Sequence, residues 1–449
     1  MTTSYIDTAS RIGAQLARDA VWDGQRCNWY GAMHEQFGGV MQQGMGTLGP
    51  CVYDGTAGMA LFLARLYQAT GDTVFARTAA GAIEHALSRQ ADVPREVALG
   101  YYTGVFGIGH AGVQVGAAID NADMVARALA LVKAATEMDT EGRFLLDVMS
   151  GYAGTVAPLL AMHQAYGHQW LLDGALRAGK VLLAHAVESE RGISWDTTSE
   201  LARMVALMGI PAELAASLTP TAERPHLTGF SHGSAGIAWA LLELGMASGD
   251  AAMVRAARGG IAYEDSWFDG ACGQWSDLRC DHGQPQTQTA ANIAWCHGAS
   301  GIALTRLRAW QLTGDPHYMA SLQVAMRITA KSIDGNLEGE NNFSLCHGLA
   351  GDAEIFLRIA SEFGDTASKA LVDRVAAYGQ VQFDQPERPW PSGTNDRKEN
   401  PGLMLGLAGT GYFYLSAANP ARTPSIMLSS LAGPQGLGGR KTGAVMPFR

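Results

Sequence analysis

The chain has 449 residues, of which 47% are hydrophobic and 16% charged, and its formal net charge is -10. This composition excludes a disordered or fibrous chain and is typical of a globular protein with a large core. The excess of acidic residues argues against a general nucleic-acid-binding protein, which would need clustered Lys and Arg.

The first 24 residues mix small, polar and charged side chains and lack the apolar stretch of a signal peptide. No later apolar run approaches the length of a membrane span. Six cysteines are too few for a disulfide framework in a chain of this length. We therefore expect a cytoplasmic protein that does not insert into membranes and keeps its thiols reduced.

A Gly-x-x-Gly turn recurs seven times, and a stretch of small and aliphatic residues follows most copies. The copies occupy residues 55–58, 104–107, 151–154, 233–236, 298–301, 348–351 and 406–409. A unit of roughly 50 residues that recurs in this way is typical of repeat architectures.

The stretches that follow the turns, such as residues 59–67 and 237–244, predict helices that are apolar on nearly every face. A helix of this kind is expected to be buried. Segments with one polar face lie between them, for example residues 74–90 and 251–263, and predict amphipathic outer helices. Strand signals are weak throughout.

The connection from an inner to an outer helix also repeats. Glycine stands where one helix would end and Asp where the next would begin in residues 70–72, 248–250, 313–315 and 363–365. Glycine tolerates the left-handed stop, and Asp caps the following amides. The pattern predicts an all-α fold, an α/α toroid with inner and outer rings of helices and all seven turns at one mouth. We assign residues 1–428 to this single domain and interpret residues 429–449 as a flexible C-terminal tail.

Three turns carry groups that suit metal binding or proton transfer. They are Ser231-His232-Gly233, Trp295-Cys296-His297-Gly298 and Leu345-Cys346-His347-Gly348. Two thiolates and an imidazole from different turns can hold zinc with one position open. The pattern alone does not decide whether His297 or His347 supplies the imidazole.

The remaining cysteines are expected to be inert buried side chains, since they lack this repeat position. They are Cys27, Cys51, Cys272 and Cys280.

His232 occupies the equivalent position in a turn that has no cysteine. Imidazole titrates near neutral pH and suits a general acid or base, although a histidine that only hydrogen-bonds at the mouth is the alternative. Asp147 lies in an apolar run four residues before Gly151, where a carboxylate needs a partner. It could form a surface salt bridge or orient His232.

These turns, together with residues 401–409 (Pro-Gly-Leu-Met-Leu-Gly-Leu-Ala-Gly), resemble the LanC-like lanthionine synthetase cyclases over nearly the whole chain. Residues 263–268 and 275–279 look like the cyclase half of the fused class II synthetases. The resemblance implies a double α/α toroid in which Cys296, Cys346 and His347 hold a catalytic zinc ion. It implies that His232 and Asp147 form the acid/base pair and that His297 is not a ligand.

The reaction that the resemblance implies is addition of peptide cysteine thiols to dehydroalanine or dehydrobutyrine, which closes (methyl)lanthionine rings in a ribosomal peptide. Because no dehydratase domain precedes the cyclase, we expect a separate dehydratase to supply the dehydrated precursor peptide. The chain departs from some members at Asn292, where they carry an arginine four residues before the first zinc cysteine.

Three alternatives compete with this interpretation. A non-catalytic zinc toroid could bind the precursor peptide or scaffold a biosynthetic complex. A LanC-like enzyme could instead add glutathione to dehydrated proteins. An α/α-toroid glycosidase would need two carboxylates across the cleft, whereas the predicted mouth carries Cys and His.

Overall fold

The computed structural model describes residues 2–37, 40–139, 144–198, 225–278, 293–339, 341–385 and 387–429. Asn292 and Cys280 lie outside the described residues, as does all of the predicted tail beyond Ser429.

Fourteen α-helices occur in the described ranges and alternate between an inner and an outer ring. The inner helices are α2 (Thr56–Thr70), α4 (Val105–Ala118), α6 (Ala153–Tyr166), α8 (Ser234–Ser248), α10 (Ala299–Thr313), α12 (Leu349–Phe363) and α14 (Leu407–Ala418). The outer helices are α1 (Thr2–Asp19), α3 (Thr73–Ser88), α5 (Ala122–Thr136), α7 (Gln169–Ala184), α9 (Ala251–Asp265), α11 (Pro316–Asn336) and α13 (Thr366–Gln382). The predicted all-α toroid is confirmed.

The two ends of the repeat region meet to close the rings. Helix α14 packs against α2 and so joins the last inner helix to the first. Helix α1 packs against α14, so the N-terminal segment supplies the seventh outer helix.

Burial separates the two rings as their sequences predict. In α8 every residue from Ser234 to Gly245 is buried. In α9 the buried set includes Met253, Ala256, Ala257, Gly260 and Ile261, the spacing of a single helical face. No helix in the described part of the chain is both long and apolar enough to cross a membrane.

All four predicted helix connections have the expected caps. The glycines that end the inner helices are left-handed, with φ of 74°, 77°, 72° and 68° at Gly71, Gly249, Gly314 and Gly364. The aspartates that follow accept a hydrogen bond from an amide in the first turn of the outer helix; they are Asp72, Asp250, Asp315 and Asp365. These local signals fix where each helix pair turns back.

Close packing explains why the fourth position of every Gly-x-x-Gly turn in this chain is a glycine. A methyl group there would overlap the carbonyl oxygen of the residue six positions earlier. The pairs are Gly58 and Val52, Gly107 and Tyr101, Gly154 and Val148, Gly236 and Phe230, Gly301 and Trp295, Gly351 and Leu345, and Gly409 and Leu403. The repeated glycine therefore lets each inner helix start directly against its own turn.

In the described ranges, four two-stranded antiparallel hairpins lie in the connections between helices. They are β1 (Val21–Asp23) with β2 (Arg26–Asn28), β3 (Tyr30–Phe37) with β4 (Val40–Thr47), β5 (Val187–Ser189) with β6 (Gly192–Ser194), and β7 (Phe268–Asp269) with β8 (Gln274–Trp275). The prediction of weak strand content misses the eight-residue strands β3 and β4. Two glycines separate these strands in the sequence, which is a local hairpin signal that does not need a larger sheet.

Residues 420–429, which we call the axial segment, run inside the inner ring. Arg358 of α12 donates to the carbonyl of Thr423, and Tyr412 of α14 donates to that of Pro424. Nearer the mouth, Tyr102 donates to the carbonyl of Ile426, at 2.8 Å. The segment therefore packs against helices and turns from several sides of the ring.

Candidate functional site

A closed ring of hydrogen bonds joins the seven glycine turns. The amide of each turn donates to a carbonyl of the next turn, and the last turn donates to the first, with N···O distances from 2.8 to 3.2 Å. The bonds run from Tyr53 to Tyr102, Tyr102 to Met149, Met149 to Ser231, Ser231 to Cys296, Trp295 to Cys346, Cys346 to Met404 and Met404 to Tyr53. All seven turns consequently lie together at one mouth, as the repeat predicts.

Cys296 and Cys346 lie in neighbouring turns of this ring. The Trp295 amide donates to the Cys346 carbonyl at 3.1 Å, which fixes the two turns side by side. Cys346 is 2% exposed, and Cys296 is half-buried. Each cysteine stands two residues before the first glycine of its turn, so the repeat gives both the same place in the ring.

Tyr53 holds that same place in the first turn. Tyr53 lies near enough to both Cys346 and Cys296 to interact with them electrostatically. Burial is the main cause that raises the Tyr53 pKa well above its usual value, and Cys346 adds to it. The sequence does not single out Tyr53, although its repeat position is a signal that could have identified it.

His347 is exposed at the mouth, and its ring is held by a loop that precedes the last turn. Its Nε2 lies 2.9 Å from the carbonyl oxygen of Gly393, which can only accept, so Nε2 carries the proton of this bond. In that tautomer the lone pair of the neutral ring is on Nδ1. Nδ1 is therefore the nitrogen that can bind a metal.

His232 and Asp147 form a close pair. His232 Nδ1 lies 2.5 Å from Asp147 Oδ2, and Asp147 Oδ1 accepts the Ser150 amide at 2.8 Å. The His232 side chain is 31% exposed, whereas that of Asp147 is 5% exposed. The carboxylate thus orients the imidazole through Nδ1, and Nε2 is the ring nitrogen that does not face Asp147.

His297 is a buried neighbour of this pair. Its ring stacks on His232, with centroids 5.6 Å apart and planes inclined by 27°. Its Nδ1 lies 3.3 Å from the Thr228 carbonyl. These contacts of His297 connect the turn of Cys296 with the turn of His232.

Two buried carboxylates near the mouth also have shifted pKa values. The pKa of Asp352 is raised to about 8, chiefly by burial; Ser300 opposes this rise and Cys296 adds to it. Burial raises the pKa of Glu264 to about 7, against the lowering influence of Arg306. Neither was predicted, because a single acidic residue within a helical segment has no distinctive sequence pattern.

Of the other cysteines, Cys27 is buried, as predicted, and Cys51 is half-buried. Cys27 and Cys51 donate to the carbonyls of Thr78 and Thr103, and burial raises the pKa of each thiol to about 12. The prediction is wrong for Cys272, which is exposed in the β7–β8 hairpin, where a surface connection leaves nothing to cover it.

The donor atoms fit zinc in their chemistry. Cys296 and Cys346 supply two thiols from adjacent turns, and His347 supplies an imidazole whose other nitrogen bonds a carbonyl, as metal-bound histidines commonly do. Over the described ranges, no three or more His, Cys, Asp or Glu side chains are grouped closely enough to form a complete metal site. The assignment of these three residues as ligands therefore stays a prediction.

Comparisons with known proteins agree with this architecture. The family model described as lanthionine synthetase C-like protein matches residues 47–428. The solved structure of nisin cyclase superposes with a TM-score of 0.64 at 15% identity, covering 94% of this chain and 96% of that chain. Glutathione S-transferase LANCL1 of Danio rerio is 27% identical over 135 residues, which span 29% of this chain and 29% of that relative.

Proposed function

Because the chain belongs to the lanthionine synthetase C-like family, we propose that it is a zinc-dependent cyclase of dehydrated peptides. It would add a peptide cysteine thiol to a dehydroalanine or dehydrobutyrine of the same peptide and so close a thioether ring. The observation that carries this proposal is the His232–Asp147 pair, bonded at 2.5 Å and linked through the Ser231 amide to the turn of Cys296.

The incoming thiol must first lose its proton. A free cysteine has a pKa of about 8.5, so only a few per cent of it is thiolate at pH 7. Zinc held by Cys296, Cys346 and His347 would supply the positive charge that makes the substrate sulfur a thiolate at neutral pH. Because two protein thiolates already offset that charge, the substrate sulfur would stay electron-rich.

The addition then needs an acid. When the sulfur bonds to the β-carbon, the electrons of the double bond move toward the carbonyl and give an enolate of the substrate. The proton of the thiol would pass to solvent, His232 Nε2–H would donate its proton to the α-carbon, and the ring would then regain a proton from solvent. Asp147 favours the protonated ring electrostatically and holds its orientation, since it accepts the Nδ1–H.

This role implies two partners. The substrate is a dehydrated precursor peptide of a ribosomal natural product, and a separate dehydratase would make its dehydroamino acids. Among the described residues, the exposure of His232 and His347 at the mouth supports access for a peptide, whereas Asp147 is covered. A cytoplasmic location would keep the thiols of enzyme and peptide reduced.

A second candidate is addition of glutathione to dehydrated residues, which the partial likeness to the Danio rerio glutathione S-transferase favours. The same pair of His232 and Asp147 would serve, with an external thiol in place of the internal one. A scaffold without activity is a weaker candidate, since it has no use for an oriented imidazole at the mouth.

The discriminating experiment offers the purified protein a dehydrated peptide with one internal cysteine, in the presence of glutathione. Ring closure leaves the mass unchanged but protects the cysteine from alkylation, whereas a glutathione adduct is heavier. We expect alkylation-resistant product to form faster than in buffer, with little adduct. Adduct alone would favour the transferase, and absence of both products with metal bound would favour the scaffold.

A further inference from the structure

Helix α9 ends with a buried carboxylate that is bonded to the loop before the turn of His232. The Glu264 side chain is fully buried, and its Oε1 accepts the amide of Gly229 at 2.8 Å. Glu264 lies in residues 263–268, a motif to which the proposed reaction gives no role. The bond therefore connects the outer ring with a loop that leads directly into the turn of the proposed proton donor.

The peptide group that donates to Glu264 also holds a neighbour of His232. The Thr228 carbonyl and the Gly229 amide belong to one planar peptide group, so the direction of one fixes the direction of the other. The Thr228 carbonyl lies 3.3 Å from His297 Nδ1 and accepts a hydrogen bond from it. The His297 ring in turn stacks on that of His232, with centroids 5.6 Å apart. Glu264 is thus linked to the imidazole of His232 through one rigid peptide group and one ring.

The identity of residue 229 makes this peptide group dependent on Glu264. Gly229 has a φ of 97°, in the region that favours glycine. Glycine adopts positive and negative φ about equally, so the backbone alone does not fix the direction of the preceding peptide group. A reversed peptide group would turn its amide away from Glu264 and its carbonyl away from His297. The bond to Glu264 selects the direction in which the carbonyl faces His297.

We propose that Glu264 is a positioning residue for His232, because it holds the Thr228–Gly229 peptide group in the direction that supports the stacked rings of His297 and His232. The proposal rests on the proposed function, since it assumes that His232 is the proton donor. Positioning of this kind needs an acceptor oxygen within reach of the Gly229 amide, and it does not need a negative charge. Reach and charge can be changed separately at residue 264.

The test compares two conservative substitutions in the full chain. Glu264→Gln keeps the reach and an acceptor oxygen but removes the charge, whereas Glu264→Asp keeps the charge and is one methylene too short for the Gly229 amide. The values of kcat and KM for a dehydrated peptide would be measured with zinc content on the same preparations. We expect Glu264→Asp to lower kcat about 10²-fold with KM and zinc content nearly unchanged, as a misplacement of about 1 Å can do. Glu264→Gln is expected to keep kcat close to that of the unmodified chain.

A second readout does not depend on activity. The proton between His232 Nδ1 and Asp147 would give a low-field proton NMR signal, identified by its loss in His232→Ala. We expect this signal to shift in Glu264→Asp, because the ring that stacks on His232 loses its fixed carbonyl, and to stay in place in Glu264→Gln. If the unmodified chain closes no rings, the proposed function fails, and the signal still tests the role of Glu264.

Glu243→Asp is the matched control. Glu243 is also a buried glutamate, but it lies in the second half of helix α8 and pairs with Arg308 at 2.5 Å. This substitution is expected to lower the temperature of thermal unfolding and to leave both kcat and the low-field signal unchanged. An unchanged kcat and an unshifted signal in Glu264→Asp would refute the positioning role. A Glu264→Gln variant as slow as Glu264→Asp would also refute it, because the acceptor oxygen would then not be what matters.

Discussion

Replacement of His232 by alanine is expected to slow ring closure by about 10²–10⁴-fold, the usual contribution of a positioned proton donor. The variant should keep its metal, because the proposed ligands are Cys296, Cys346 and His347, and His232 is hydrogen-bonded to Asp147. Rates with a dehydrated peptide and metal content by mass spectrometry would be measured on the same preparations. The rate would be followed as the loss of peptide cysteine that can be alkylated, so the peptide itself needs no label.

Two further variants sharpen this result. Asp147→Asn should also slow ring closure. Combining it with His232→Ala should slow the reaction little more than His232→Ala alone, since the two groups act as a unit. His185→Ala removes an exposed histidine outside the ring of turns and should have no effect on the rate. Loss of zinc from His232→Ala, or an unchanged rate, would show that the division of roles between His232 and the cysteines is wrong.

A chain that ends at Asn419 is expected to lose most of its stability, because it lacks the axial segment. The hydroxyls of Tyr102 and Tyr412 and the indole Nε1 of Trp295 donate to carbonyls of this segment at 2.8–3.0 Å. Each buried donor left without an acceptor costs about 1–3 kcal/mol. Burial of Ile426 and Met427 contributes about 1.5–3 kcal/mol each. The total is comparable to the roughly 5–15 kcal/mol by which a typical domain is stable.

Urea unfolding would compare this truncated chain with one that ends at Ser429. The longer chain retains all three carbonyl acceptors and both apolar side chains, and is expected to unfold near the midpoint of the full chain. It also tests the prediction from sequence that residues 429–449 are a tail outside the domain. Equal midpoints for the Asn419 and Ser429 chains would mean that the axial segment contributes nothing to the fold.

The helical architecture was predictable because its signals are local and repeated. Glycine followed by Asp marks four of the turns from an inner to an outer helix, and Gly71 and Asp72 adopt the left-handed stop and the cap that their residue types predict. The pairing of α1 with α14 and the path of the axial segment were not predicted. Both depend on the two ends of a long chain meeting, which no short window of sequence records.

The candidate site was predictable to the extent that its chemistry is visible in residue type. Cys296, Cys346 and His232 stand out because thiols and imidazoles recur at one place in the repeat. Tyr53 was missed because a tyrosine in an apolar turn is unremarkable until the ring closes and brings it near Cys346. The repeat pattern left the choice between His297 and His347 open, and only the family resemblance favours His347; in the structure each ring has a backbone carbonyl partner.

The measurement that tests the central claim most directly is the zinc content of protein purified without chelators. We predict one zinc ion per chain, lost when either Cys296 or Cys346 is replaced by alanine and retained in Cys272→Ala, which removes an exposed cysteine outside the ring of turns. Unmodified protein without stoichiometric zinc, or zinc that persists in both the Cys296→Ala and Cys346→Ala variants, would contradict the account.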